Sequence, residues 1–177
     1  KCNFKLNIFE KFMNNLLIIS ATNDNNLALS NKLQSAFAEL GQSTTVISLE
    51  DYNFPLFGGD KNIDESSIKA LVDHVSDAKG FIFCAPEYNG GVPPVLSNAI
   101  TWITVKTKDW RQAFNGKYAV IATASGGDGH RFITAFRSQL EHLGVNVLAR
   151  SISSEQNKPL KEDSIKRILQ GLIDAIS

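Results

Sequence analysis

At 177 residues the chain suits one domain, large enough to bury a core without disulfides or a structural metal. Lys plus Arg equals Asp plus Glu at 18 each, and 43% of the residues are hydrophobic, so no global field draws it to nucleic acid or an acidic membrane. Its apolar runs stay well below the roughly 20 residues of a membrane helix, and two cysteines, Cys2 and Cys84, make neither a disulfide framework nor a zinc site, so a cytoplasmic protein is expected.

Lys1 to Phe12 precedes the single methionine, Met13, and has neither an apolar stretch of signal-peptide length nor a cleavage pattern. It reads as a flexible upstream extension or a cloning remnant, with one domain over residues 13–177. Leu16-Leu17-Ile18-Ile19 is a short apolar run with polar ends, which predicts a strand buried on both faces. The loop from Ser20 to Asn26 is rich in capping residues. A helix from about Asn26 to Leu40 sets Leu29, Leu33, Phe37 and Leu40 on one face, and Gly41 stops it. Thr44 to Leu49 is β-branched and predicts the second strand.

Asp51 to Lys61 reads as an aromatic-rich loop, and a helix capped by Asp64 runs through Ile68, Leu71, Val72 and Val75 to Ala78. Phe81 to Ala85 is the third strand. It stops at Pro86 and passes into Glu87-Tyr88-Asn89-Gly90-Gly91-Val92, after which Pro93 and Pro94 open a helix bearing Leu96, Ile100 and Ile103. Tyr118 to Thr123 predicts a fourth strand, followed by the loop Ser125-Gly126-Gly127-Asp128-Gly129. A helix from His130 carries Phe132, Phe136, Leu140 and Leu143; Val145 to Leu148 is the fifth strand, and Ser164 to Ile176 the closing helix.

Five strands alternating with helices predict an α/β fold: a three-layer, doubly wound, parallel sheet with right-handed crossovers. In the flavodoxin-like order 2-1-3-4-5, the loops after the first and third strands meet at the switch point, with the fourth-strand loop beside them. Glu87, Tyr88 and Asn89 are large polar groups next to glycines that let the backbone approach a flat ligand, such as a flavin ring. Gly126 and Gly127 suit a tight turn as well as they suit a ligand contact. His130 reads as a helix-start residue, His74 and His142 as solvated, and Cys84 as a core thiol. No metal-binding cluster, Walker-type loop or Ser/His/Asp spacing appears, and Gly-x-Gly-x-x-Gly does not follow the first strand.

The stretch Ala85-Pro86-Glu87-Tyr88-Asn89-Gly90-Gly91-Val92-Pro93-Pro94 through Ile100 resembles the signature of the NADPH-dependent FMN reductase family, which includes bacterial quinone, chromate and azo-dye reductases. Asp51-Tyr52-Asn53-Phe54-Pro55-Leu56-Phe57 and Ser125-Gly126-Gly127 are similar to two further loops of that family. The resemblance implies one FMN at the carboxyl edge of the sheet, NADPH or NADH as donor, and a small-molecule acceptor: a quinone, azo compound, metal oxyanion or free flavin. It also implies a homodimer or homotetramer. Pro86, Glu87, Tyr88, Asn89 and Gly90 would hold the ring, Ser125, Gly126 and Gly127 its pyrimidine side, and Ser20, Thr22 and Asn26 the phosphate. No side chain is assigned as acid or base.

The chain departs from the family at the phosphate loop. Asn23 stands where an arginine is common, Asn26 where a serine is, and Ala28 where an asparagine is. A lost charge-assisted contact costs about 1.5–3 kcal/mol, and restoring arginine at position 23 is expected to raise flavin affinity several-fold. Two alternatives stay open: a flavodoxin-like electron carrier, which the balanced charge disfavours, and a family member that has lost its flavin and serves as a binding module.

Overall fold

Apolar runs of four or five residues form strands when both of their faces are covered, and that is their fate in the computed structural model, which describes residues 15–52, 54–59, 64–155 and 160–177. The stretch read as an upstream extension lies outside these residues. The strands are β1 (Leu16–Ser20), β2 (Thr44–Ser48), β3 (Gly80–Cys84), β4 (Tyr118–Ser125), β5 (Asn146–Val147) and β6 (Ile152–Glu155). The helices are α1 (Asn25–Glu39), α2 (Glu65–Asp77), α3 (Pro94–Lys106), α4 (His130–His142) and α5 (Glu162–Ile176).

Among the described residues the strands of the sheet pair in parallel and their order is 2-1-3-4-5, as expected. The pleat sorts each strand's side chains between two cores. Leu17, Ile19, Phe81, Phe83, Ala119 and Ile121 face α2, α3 and α4, packing on Leu71, Ile100 and Phe136. Leu16, Ile18, Ile82, Cys84, Val120 and Ala122 face α1 and α5, packing on Leu33, Phe37, Leu169 and Leu172. Asp64 caps α2 as its sequence position predicts, with Oδ1 accepting from the backbone N–H groups of Ser66 (3.0 Å) and Ser67 (3.3 Å). Among the described residues no helix is long and apolar enough to cross a membrane.

The fifth position of the sheet differs from the expectation of one strand. β5 pairs with the start of β4, at Tyr118 and Ala119, and a minor sixth strand, β6, pairs with its end from Ala122 to Ser125. Between them the chain leaves the ladder, and the Arg137 guanidinium takes up the carbonyls of Val147 (3.1 Å) and Leu148 (2.8 Å). Ile152-Ser153-Ser154-Glu155 has a single apolar residue, so β6 leaves no periodic signal in the sequence.

Candidate functional site

Three strand ends build the site. After β1 the chain turns sharply: the Ser20 hydroxyl donates to Thr22 O (2.7 Å), and Ala21 N–H donates to Cys84 O (2.8 Å). Ser20 is thereby fully buried and shapes the loop from beneath. Thr22 is 5% exposed, and its hydroxyl has no partner among the described residues. Asn23 is turned away to the short 3₁₀ turn Leu49–Asp51, its N–H donating to Glu50 Oε2 (2.6 Å) and its Nδ2 to Asp51 Oδ1 (3.3 Å). Asp24 precedes α1 without capping it, and the first turn of α1 has no acidic residue, so its N–H groups stay open.

After β3, Pro86 ends the ladder and the chain makes a two-residue hairpin turn. Tyr88 and Gly91 exchange backbone hydrogen bonds of 3.3 and 2.9 Å, and the two residues between them, Asn89 and Gly90, have φ of 51° and 73°. Two successive positive φ values make a type I′ turn, the geometry that Asn-Gly favours. Glu87 is neither a surface acid nor directed into open solvent. Its N–H donates to the Ser125 hydroxyl (2.8 Å), and its Oε2 accepts from Phe132 N–H (3.1 Å) in the first turn of α4. Arg131 Nη1 lies 3.9 Å from the other carboxylate oxygen. Glu87 thus fastens the β3 loop to a helix start, where a negative charge is favoured.

After β4, Ser125 accepts from Glu87 and shares a 2.8 Å hydrogen bond with Thr123 Oγ1. Gly126 and Gly127 have open space around them, so no neighbour in the structure demands glycine there. Gly129 differs: its φ is 63° and an added Cβ would lie 2.7 Å from Thr123 Cγ2. Asp128 Oδ1 accepts from His130 N–H (3.0 Å), and β6 is held beside this loop by Ser153 Oγ donating to Asp128 O (2.9 Å).

These ends surround a cleft of about 840 Å³. Of the residues singled out from sequence, Thr22, Asn26, Pro86, Glu87, Tyr88, Ser125 and Gly126 line it; Ser20, Asn89, Gly90 and Gly127 do not. Asn26 is committed elsewhere, its side-chain amide joined to both backbone groups of Ala124. Lys32, Ser154, Glu155 and Leu160 line the cleft without having been foreseen. Lys32 had a readable signal: it shares a helix face with Asn25, Ala28 and Leu29. Ser154 and Glu155 come from the silent strand β6. Cys84, just below the cleft, is fully buried; burial pushes its thiol up to about 12, against a small opposing effect of the Ser30 hydroxyl, so it is no nucleophile.

The cleft suits a long ligand with an anionic end. An unpaired, accessible hydroxyl on the nearly buried Thr22 and open N–H groups on α1 match a phosphate. At the other end, Gly126 lines the cleft and its N–H makes no hydrogen bond among the described residues; nor do those of Gly127, Asn89 and Gly90, which continue the same loops just outside the lining, and together they match an edge of acceptors. FMN has both ends, so the residues present fit it.

An NAD(P)H-dependent FMN reductase of Schizosaccharomyces pombe is 30% identical over 125 residues, covering 71% of this chain and 55% of the relative. A 2-hydroxy-1,4-benzoquinone reductase of a Burkholderia species is 31% identical over 106 residues, covering 58% and 56%. The chain therefore spans about half the length of the curated relatives it matches. The solved structure of FerB, a flavoenzyme NAD(P)H:(acceptor) oxidoreductase from Paracoccus denitrificans, superposes with a TM-score of 0.75 over 93% of this chain and 97% of that one. At 17% identity, that likeness speaks for the fold. A model of the family described as NADPH-dependent FMN reductase matches residues 14–158, and the chain belongs to that family.

Proposed function

We propose that this chain is an FMN-dependent NAD(P)H oxidoreductase acting on a quinone, an azo compound, a metal oxyanion or free flavin. The carrying observation is the meeting of three strand ends, at Thr22, at Pro86 to Tyr88 and at Ser125 to Gly126, around one cleft with unpaired polar groups at both ends. When bound, FMN supplies hydride acceptance from NADPH or NADH and electron delivery to the acceptor. The chain's own part is to bind, orient and tune.

The Thr22 hydroxyl and the opening N–H groups of α1 hold the phosphate. Asn89, Gly90, Gly126 and Gly127 offer backbone N–H groups to the ring's carbonyl and nitrogen edge, where fixed dipoles favour the negative charge of the reduced form. Pro86 and the half-exposed Tyr88 wall the ring. Ser20, Asn26, Glu87 and Ser125 act from behind, holding the three loops together through the hydrogen bonds already described. No side chain is required as acid or base.

We further place the protein in the cytoplasm as a homodimer or homotetramer. Leu56, Phe57 and Val105 are 71%, 43% and 53% exposed on or against α3, an apolar surface suited to a second copy. Light scattering on the purified chain tests the assembly. The activity is tested by titrating FMN into the protein and following its fluorescence, then by rapid mixing with NADPH with and without quinone. Failure to bind FMN would sink the reading. Binding without rapid reduction by NADPH would make the protein an electron carrier instead.

A further inference from the structure

We propose that Lys32 supplies the counter-charge for the FMN phosphate, taking onto helix α1 the task that the family pattern gives to an arginine in the loop before it; this rests on the FMN reading of the cleft. Lys32 lines the cleft with Asn25, Ala28 and Leu29 of the same helix face and with Thr22 and Asp24 of the loop. Helical side chains lean back over the preceding turn, so a lysine in the third turn reaches toward the opening one. The Thr22 hydroxyl, in a residue 5% exposed and with no partner, marks where a ligand oxygen belongs.

The charge balance singles out Lys32. Among the described residues lining the cleft it is the one cation, facing Asp24, Glu87 and Glu155. Glu87 is engaged at α4 and Glu155 has a partner of its own. Lys32 forms no ion pair with any described residue, so its charge is uncommitted. The loop position cannot take the role, because both the backbone N–H and the amide of Asn23 are bound to Glu50 and Asp51. The amide of Asn26, a further polar group on the cleft, is already joined to Ala124. Among the described residues that line the cleft, a dianionic phosphate at Thr22 and the α1 terminus would otherwise face acidic groups and no cation.

The test compares FMN with riboflavin, which has the same ring and no phosphate, on the full chain and on its Lys32→Met, Lys32→Arg and Thr22→Val variants. Dissociation constants come from flavin fluorescence. Lys32→Met is expected to weaken FMN roughly five- to thirtyfold and leave riboflavin unchanged. Lys32→Arg should restore most of the loss, and the FMN difference should shrink as salt is raised. Thr22→Val should likewise weaken FMN more than riboflavin. Unchanged FMN affinity in Lys32→Met, or equal weakening of both flavins, would overturn the assignment while leaving the FMN reading intact. If wild type binds neither flavin, the FMN reading itself fails and the assignment falls with it. Lys32 is exposed on its helix, so its variants are expected to fold; far-UV circular dichroism checks this.

Discussion

The side-chain amide of Asn26 is joined to the backbone of Ala124 by two hydrogen bonds, Nδ2 to the carbonyl at 3.0 Å and Oδ1 from the N–H at 2.9 Å. The two residues are 98 positions apart. β3 pairs with β4 as far as Cys84 and Ala122, and Ala85 N–H still reaches Ala122 O. The next donor toward β4 along that edge would be the N–H of Glu87, which goes to the Ser125 hydroxyl instead. Asn26 fills the gap, its amide standing in for the missing peptide group. Asn26→Ala is therefore expected to destabilise the chain by about 2 kcal/mol, since it leaves two backbone groups of Ala124 unpaired. Urea denaturation measures this. Asn26→Asp, which keeps an acceptor for the N–H but offers no donor to the carbonyl, should fall between the two.

Asn23 stands where an arginine would be expected to serve the phosphate, but in the fold it faces Glu50 and Asp51. An arginine introduced there meets two carboxylates before it meets a ligand. Asn23→Arg alone is expected to raise FMN affinity less than about threefold, because its charge is largely neutralised nearby. Combined with Glu50→Gln and Asp51→Asn, the gain should reach several-fold, as read by FMN titration at low salt. This revises the several-fold gain expected for the single change on sequence grounds.

The turn at Asn89-Gly90 sets a steric test. Gly90→Ala puts a Cβ at φ 73°, and 3.2 Å from Arg131 Cδ. The arginine side chain is mobile enough to move aside, so the backbone conformation sets most of the cost, about 1 kcal/mol. Asn89→Gly is expected to be nearly neutral. Asn89→Val should be worse than Gly90→Ala, because a β-branched residue tolerates positive φ least. Thermal melts rank the three, and FMN affinity should fall in the same order as the turn loosens.

Lys117 reports on the opposite edge of the sheet. Its ammonium lies over the Phe81 ring and donates to Val75 O (2.8 Å) and Ser76 O (2.7 Å) at the end of α2. Burial pushes its pKa down to about 8, with Asp77 opposing. The unfolded chain keeps that proton up to about pH 10.4, so between pH 8 and 10 it binds more protons than the native chain, and the contribution of Lys117 to stability rises with pH. The stability difference between wild type and Lys117→Met should shift toward wild type from pH 7.5 to pH 10. The shift should be about 1 kcal/mol once the solvent reaching this partly exposed group is allowed for. A flat difference would show that the proton is not released.

The architecture was legible because it depends on short-range pattern. Apolar runs such as Leu16–Ile19 and Phe81–Phe83 can be buried on both faces only in a covered parallel sheet, and helical periodicity at Leu29, Leu33 and Phe37 supplies the cover. The three loops of the cleft could be named from strand ends and the switch-point rule alone. Asn89-Gly90 carried its turn type in its own two residues.

Roles within the site were another matter. Asn26 and Glu87 are polar residues in the expected loops, but what each one holds, Ala124 in one case and Phe132 in the other, lies 98 and 45 positions away. Strand β6, with one apolar residue, acquires its conformation from pairing with β4 and brings Ser154 and Glu155 to the cleft. Lys32 enters because α1 packs at the angle that turns this face to the opening. The sequence by itself determined the layers, the strand order and the edge on which a ligand sits, since burial of apolar surface is written in local periodicity. Which polar groups are spent inside the protein and which remain for a ligand was decided only by the tertiary structure, because a hydrogen bond depends on partners that the chain brings together from far along its length.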